Sequence, residues 1–263
     1  MSNELDRRFK AAKYIVHKAA EIALELRPSP GGPQGSLKHV QDWVTAADGK
    51  IESFISQEIK NLFPEDGFQG EEKGETRTGS LQWVVDPIDG TSNYARGRDR
   101  WCVSLALMHN DEPLLGIIEA PCTQEFYTAR LGHGAFLNNA PISVSDVKDP
   151  KISMIELGWS HVSVKEEFLY YADKILSTGA MIRTIGSGTL SLVDVATGRL
   201  DGHFEMKINL WDVAAALVLL KEAGAVVSPF LKTGGLYKPT PILASSPGLA
   251  KLLSDITHLP LDG

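Results

Sequence analysis

Hydrophobic and polar positions follow two rhythms along the chain, and the rhythm changes near residue 150. In residues 4–27, Leu5, Phe9, Ala12, Val16, Ala19, Ala23 and Leu26 recur every three or four positions, the spacing of one buried helix face. Residues 28–35, rich in proline and glycine, end that helix in what reads as a mobile loop. Thr45 followed by Asp48 starts a second helix in the manner of a capping box, and Ile51, Phe54, Ile55, Ile59 and Leu62 carry it to Pro64. Short apolar runs follow at Phe68–Gly70, Trp83–Val85, Cys102–His109, Leu114–Ala120, Gln124–Arg130 and Ala135–Asn138, with turns between them. They predict an antiparallel sheet covered by the two helices, an α+β first half over residues 1–145. Beyond it, strand-like stretches at 152–159, 181–185, 201–205 and 242–245 alternate with helical ones at 164–177, 189–198 and 211–223, before a last short helix. That alternation predicts an α/β second half over 146–263. With no repeat and no linker, residues 1–263 are expected to form a single domain with a cleft between its halves.

Composition narrows the function classes. Hydrophobic residues make up 43% and charged residues 22%, as in an ordinary globular protein. A net charge of −7 without a long basic run argues against nucleic acid as a partner. No apolar run is long enough to cross a bilayer, and Met1–Arg8 lacks a signal-peptide core, so a cytoplasmic protein is expected. Cys102 and Cys122, the only cysteines, lie in strand-like stretches and read as reduced core residues.

The chemistry centres on Trp83-Val84-Val85-Asp86-Pro87-Ile88-Asp89-Gly90-Thr91. A buried strand ends there, Pro87 holds Asp86 extended, and Gly90 permits a sharp turn. Asp86 and Asp89 at one strand mouth repel each other unless a cation sits between them, which suits a hard, oxygen-binding metal such as Mg²⁺. The amides of Gly90 and Thr91 are placed to meet a phosphate. The plainer alternative is a turn in which both aspartates bind only their own backbone. Asp48 and Asp212 have equally plain readings as helix-start acids, and Glu71-Glu72 as an acidic turn.

The run Asp86-Pro87-Ile88-Asp89-Gly90-Thr91 resembles the signature of the inositol monophosphatase family. Three further stretches match: Val44-Thr45-Ala46-Ala47-Asp48, Gly70-Glu71-Glu72, and Trp211-Asp212 before an Ala-rich helix ending Glu222-Ala223-Gly224. The resemblance implies a layered αβαβα sandwich and a Mg²⁺-dependent, lithium-sensitive phosphatase, with two or three Mg²⁺ per site and a homodimer. By the same resemblance Glu71, Asp86, Asp89, Asp212 and the carbonyl of Ile88 are metal ligands. Glu71, Thr91 and Asp48 become the catalytic set, Thr91 being oriented by Asp48. Asp89, Gly90, Thr91, Ser187, Gly188, Glu205 and Asp212 become substrate contacts, with Glu205 taking hydroxyls of the alcohol half. The implied substrate is a small phosphate monoester, inositol monophosphate first. Histidinol phosphate, a sugar bisphosphate or 3′-phosphoadenosine 5′-phosphate are alternatives, and a non-catalytic binding protein on the same fold is the competing class. Lys38 faces either the phosphate or, as its residue type favours, solvent. Arg183 faces substrate or solvent. Arg96, Arg98 and Arg100 flank the substrate, mark a subunit contact, or form a solvated loop, and the last is preferred. Arg98 and Arg100, with Ala225 where a second glycine is usual, depart from the family's pattern.

Overall fold

A computed structural model describes residues 2–40, 42–160 and 162–262. The first helix is α1 (Ser2–Glu25). A two-stranded antiparallel hairpin follows, β1 (Ser36–His39) and β2 (Asp42–Val44), where the sequence pointed only to a loop. Its residues are exposed or half-buried, so no hydrophobic rhythm marks them. Helix α2 (Ala46–Leu62) begins where its sequence predicted. The Thr45 amide donates to Asp48 Oδ2 at 2.8 Å, and Thr45 Oγ1 accepts from Ala47 at 3.2 Å.

The first sheet contains β3 (Gly67–Gly70), β4 (Gly74–Arg77), β5 (Leu81–Asp89), β6 (Cys102–His109), β7 (Glu112–Ala120), β8 (Glu125–Arg130), β9 (Ala135–Leu137) and β10 (Ala140–Pro141). A short helix, α3 (Thr91–Ala95), leaves β5 directly. The spatial order is β10-β9-β8-β7-β6-β5-β3-β4. Pairing is antiparallel from β5 to β10 as expected, but β3 runs parallel to β5. That departure matters, because the register Gly70↔Val85 sets Glu71 beside Asp86. The strand β5 also continues past its apolar triplet to Asp89, with an irregular register against β6 between Asp86 and Asp89.

The second half supplies β11 (Met154–Leu157), α4 (Lys165–Ser177), β12 (Met181–Arg183), α5 (Gly188–Ala196), β13 (Gly202–Ile208), α6 (Leu210–Glu222), β14 (Val226–Val227), β15 (Thr240–Ser245) and α7 (Ala250–Thr257). Its sheet, in the order β12-β11-β13-β15-β14, is parallel around β11 and antiparallel at β13–β15 and β14–β15.

Side-chain alternation stacks these elements in five layers. On β6, Val103, Leu105 and Leu107 pack toward α1 and α2, whereas Cys102, Ala106 and Met108 pack toward α5 and α6. On β15, Ile242 and Ala244 join the α5–α6 layer, while Leu243 faces α4 and α7. The implied αβαβα sandwich is therefore the observed one. Helices α1 and α2 cover one face of the first sheet as expected, and α5 and α6 cover its other face. Helix α6 is apolar almost all round, the mark of a helix enclosed between layers. Gly116 on β7 lets it approach, as a Cβ there would lie 2.2 Å from the Ala215 carbonyl oxygen.

Candidate active site

Strand β5 carries Asp86 and Asp89 to its carboxyl end, and Asp212 sits in the first turn of α6. One oxygen from each lies within 4.8 Å of the others, the single such trio among the described residues. Local structure explains how each acid is held. Asp86 Oδ1 accepts from the Ile88 amide at 3.0 Å, closing a small turn around Pro87. Asp212 Oδ2 accepts from the Asn209 amide at 3.0 Å and completes a capping box. Asp89 Oδ2 accepts from the Thr189 amide at 2.9 Å and from the Ser187 hydroxyl. The plain readings are thus correct for one oxygen of Asp86 and one of Asp212, whereas Asp89 bonds Ser187 and Thr189 from a distant turn instead of its own backbone, and none of these bonds explains why the three converge.

Convergence is electrostatically costly. Burial, then the charges of Glu71, Asp89 and Asp212, pushes Asp86 well above the ordinary carboxylate range. Burial and Asp89 push Asp212 up to about 7. Burial also raises Asp89, against the opposing hydrogen bonds from Ser187 and Thr189. Glu71 lies outside the close trio and is raised by burial and by Asp212. The nearby cation is Lys38, 3.9 Å from Glu71 and 2.6 Å from Glu72. Lys38 is exposed, as its residue type favoured, and its ion pair is with the glutamates and not with the aspartates. A dication coordinated by oxygen fits this donor set, because carboxylates and a carbonyl are the ligands hard ions prefer.

Thr91, the first residue of α3, places its hydroxyl 2.9 Å from the Ile88 carbonyl and 3.5 Å from Asp48 Oδ1. The shorter contact takes the proton, so Asp48 stands at the limit of hydrogen-bond reach. Burial raises Asp48, with Thr45 bonds opposing. Gly90 has φ +89, a left-handed backbone that favours glycine, and its neighbours leave no room for a side chain.

The turn before α5 meets the trio from the other sheet. Ser187 caps α5 by accepting from the Leu190 amide at 3.2 Å while its hydroxyl donates to Asp89. Gly188 is backed by Ile208, and a Cβ on it would lie 3.7 Å from Glu205 Oε2. Glu205 is 7% exposed and is raised well above its ordinary range by burial and then by Asp212. Beside it His203 is fully buried, its Nε2 3.8 Å from Glu205 Oε2. Arg183 is exposed and donates to the Ile182 carbonyl at 3.0 Å.

The preferred reading of a solvated loop fits exposed Arg96 and Arg98 but needs correcting at Arg100. Arg100 is half-buried and sits 2.6 Å from Asp194 on α5, and Arg98 donates to Asn93 Oδ1 at 2.9 Å. Sequence reasoning missed two further neighbours. Glu52 is fully buried on α2, accepts from the Glu72 amide at 2.8 Å, and fills the space a Cβ at Gly70 would need. Its position four residues after Asp48, on the buried helix face, was the available signal. Asn93 gave no signal, since two of its carbonyl partners lie 92 and 93 residues away.

The model of the inositol monophosphatase family matches residues 4–258. A Nus factor SuhB of Xylella fastidiosa is 40% identical over 195 residues, covering 73% of this chain and 71% of that protein. An inositol-1-monophosphatase of Rhizobium meliloti is 33% identical over 257 residues, covering 96% and 94%. The crystal structure of the extragenic suppressor protein suhB from Bartonella henselae superposes with a TM-score of 0.85 at 29% identity, covering 94% of this chain and 96% of that one.

Proposed function

The chain belongs to the inositol monophosphatase family, and from that premise we propose that it is a Mg²⁺-dependent hydrolase of small phosphate monoesters, with inositol monophosphate its first substrate. The observation that carries this reading is the convergence of Asp86, Asp89 and Asp212, three acids from two layers that bring an oxygen each within 4.8 Å of the others. With Glu71 and the Ile88 carbonyl they would hold Mg²⁺. When bound, the ion supplies the positive charge that offsets the phosphate and favours ionisation of the attacking water. Thr91, held by the Ile88 carbonyl and Asp48, orients that water, and Glu71 accepts its proton. The amides of Gly90 and Thr91 bind phosphate oxygens. Glu205 and the Gly188 turn receive hydroxyls of the alcohol, for which a carboxylate acceptor is well suited. Helix α6 packs on both sheets, which supports treating residues 1–263 as one domain.

The test is phosphate release with Mg²⁺ from inositol monophosphate, histidinol phosphate, a sugar bisphosphate and 3′-phosphoadenosine 5′-phosphate, repeated in excess EDTA. Mg²⁺-dependent release, greatest with the inositol ester, is expected; release that survives EDTA would refute the metal role. Resemblance alone supports lithium inhibition, a homodimer and a cytoplasmic location. No helix among the described residues is long and apolar enough to cross a membrane. Sedimentation equilibrium and a lithium titration test the first two.

The name of the Xylella fastidiosa relative opens a second reading, that this chain is a Nus factor and not a hydrolase. The acid trio favours the hydrolase, because a protein kept only for docking gains nothing from three uncompensated aspartates.

A further inference from the structure

The turns flanking the acid trio belong to different sheets, and one side chain spans them. Asn93 on α3 is 4% exposed. Its Nδ2 lies 2.7 Å from the Arg100 carbonyl oxygen, 2.9 Å from that of Ile185 and 3.2 Å from that of Gly186. Its Oδ1 accepts from Arg98 Nη1 at 2.9 Å. These partners settle the amide's orientation: three carbonyls require a donor, and the guanidinium requires an acceptor. Reversed, the amide would set oxygen against oxygen three times.

The space around this contact is closed by backbone. A Cβ on Gly90 would lie 2.9 Å from the Arg100 carbonyl oxygen and 3.2 Å from that of Gly186, and one on Gly186 would lie 3.1 Å from Asn93 Nδ2. Gly186 has φ +77, so a side chain there is excluded by conformation as well. The Gly90–Thr91 turn and the Gly186–Ser187 turn therefore meet almost bare, with the Asn93 amide joining them.

We propose that Asn93, clamped by Arg98, is a positioning residue that fixes the separation of the phosphate-side turn from the alcohol-side turn, and so favours esters whose alcohol carries several hydroxyls. The proposal rests on the phosphatase reading above. An ester with a hydroxyl-rich alcohol must meet both turns at once. An aryl phosphate, whose leaving group offers no hydroxyl, needs only the first. Loosening the join leaves each turn intact but spoils their relative placement, and a shift of about 1 Å costs up to about a hundredfold in rate. The assignment also gives Arg98, a departure from the family's pattern, a physical task.

The experiment compares kcat/KM for inositol 1-phosphate and p-nitrophenyl phosphate, with Mg²⁺, in the wild type, Asn93→Asp, Arg98→Ala and Arg98→Lys. In Asn93→Asp a carboxylate faces three carbonyl oxygens, and the ratio of inositol to aryl ester should fall about tenfold or more. Arg98→Ala should move it the same way by less, and Arg98→Lys should restore part of it. Mg²⁺ affinity by calorimetry should stay that of the wild type. A purely structural role lowers both esters by one factor; an unchanged ratio therefore overturns the proposal, as does a lost Mg²⁺ affinity that explains the rates. If Asn93→Asp fails to fold, Arg98→Ala decides alone, because exposed Arg98 gives up a single hydrogen bond to Asn93. A wild-type protein that cleaves neither ester overturns the inositol-phosphate reading on which the proposal rests and is recognised before any variant is made.

Discussion

Charge is buried in opposite ways at the two ends of α5. Near the carboxyl end, Asp194 lies 2.6 Å from Arg100 and 3.6 Å from Arg199. Arg199 in turn lies 2.6 Å from Glu125, whose other oxygen accepts from the Tyr127 hydroxyl at 2.8 Å. Burial works to raise Glu125, but the bonds from Arg199, Tyr127 and Thr123 prevail and hold it below the ordinary range. Two acids there meet two guanidiniums, which oppose the burial that still raises Asp194 and outweigh it at Glu125. Near the amino end, Asp89 joins Asp86 and Asp212 with no such partner among the described residues, and all three are raised. A paired network holds layers together and asks for nothing more. An unpaired one is unfavourable until a cation arrives, which is how a binding site differs from a structural one.

Removing an acid from the trio should break the comparison most sharply. Asp86→Asn should lower phosphate-ester turnover about a thousandfold or more. The same change should raise the thermal midpoint of the metal-free protein, because one repelling charge is gone; a lower midpoint measured by calorimetry would contradict the electrostatic account. Thr91→Ala should cost about a hundredfold in kcat with little change in KM, since its hydroxyl orients water rather than holding the ester. Steady-state kinetics separates the two parameters.

The pH dependence sharpens the contrast further. Carboxylates raised in the folded state bind more protons there than in the unfolded chain. Metal-free stability should therefore fall as pH rises from the ordinary aspartate value of 3.8 toward the 7 or so of Asp212. Saturating Mg²⁺ should flatten that slope, and denaturant titrations across the window measure both curves. An apo slope of opposite sign would mean the trio is compensated after all. The smallest effect belongs to the paired network: Arg199→Met should cost about 1 kcal/mol of stability, since its side chain is part-exposed, and leave turnover unchanged.

Some of this was legible in the residues and some was not. Thr45 and Asp48 announced the start of α2 because a capping box is local, closed by atoms three residues apart. Asp86, Asp89 and Asp212 were legible as acids at a strand end and a helix start, and the motif resemblance joined them. The hairpin β1–β2 was invisible because its exposed residues carry no rhythm. The parallel pairing of β3 with β5 was hidden because the strand type says nothing of direction. Arg100 looked like a loop charge because its partner, Asp194, lies 94 residues away.

By itself, the amino-acid sequence determined everything whose cause lies within a turn or two of chain: helix faces, caps, strand alternation, and which acids stand at element ends. Only the tertiary structure decided which charges are answered and which are not. That outcome depends on how two sheets close around α5 and α6, and burial multiplies the energy of every charge brought there. Asn93 shows the limit most plainly. Its amide orientation is settled by three carbonyls and a guanidinium that no local pattern could bring together.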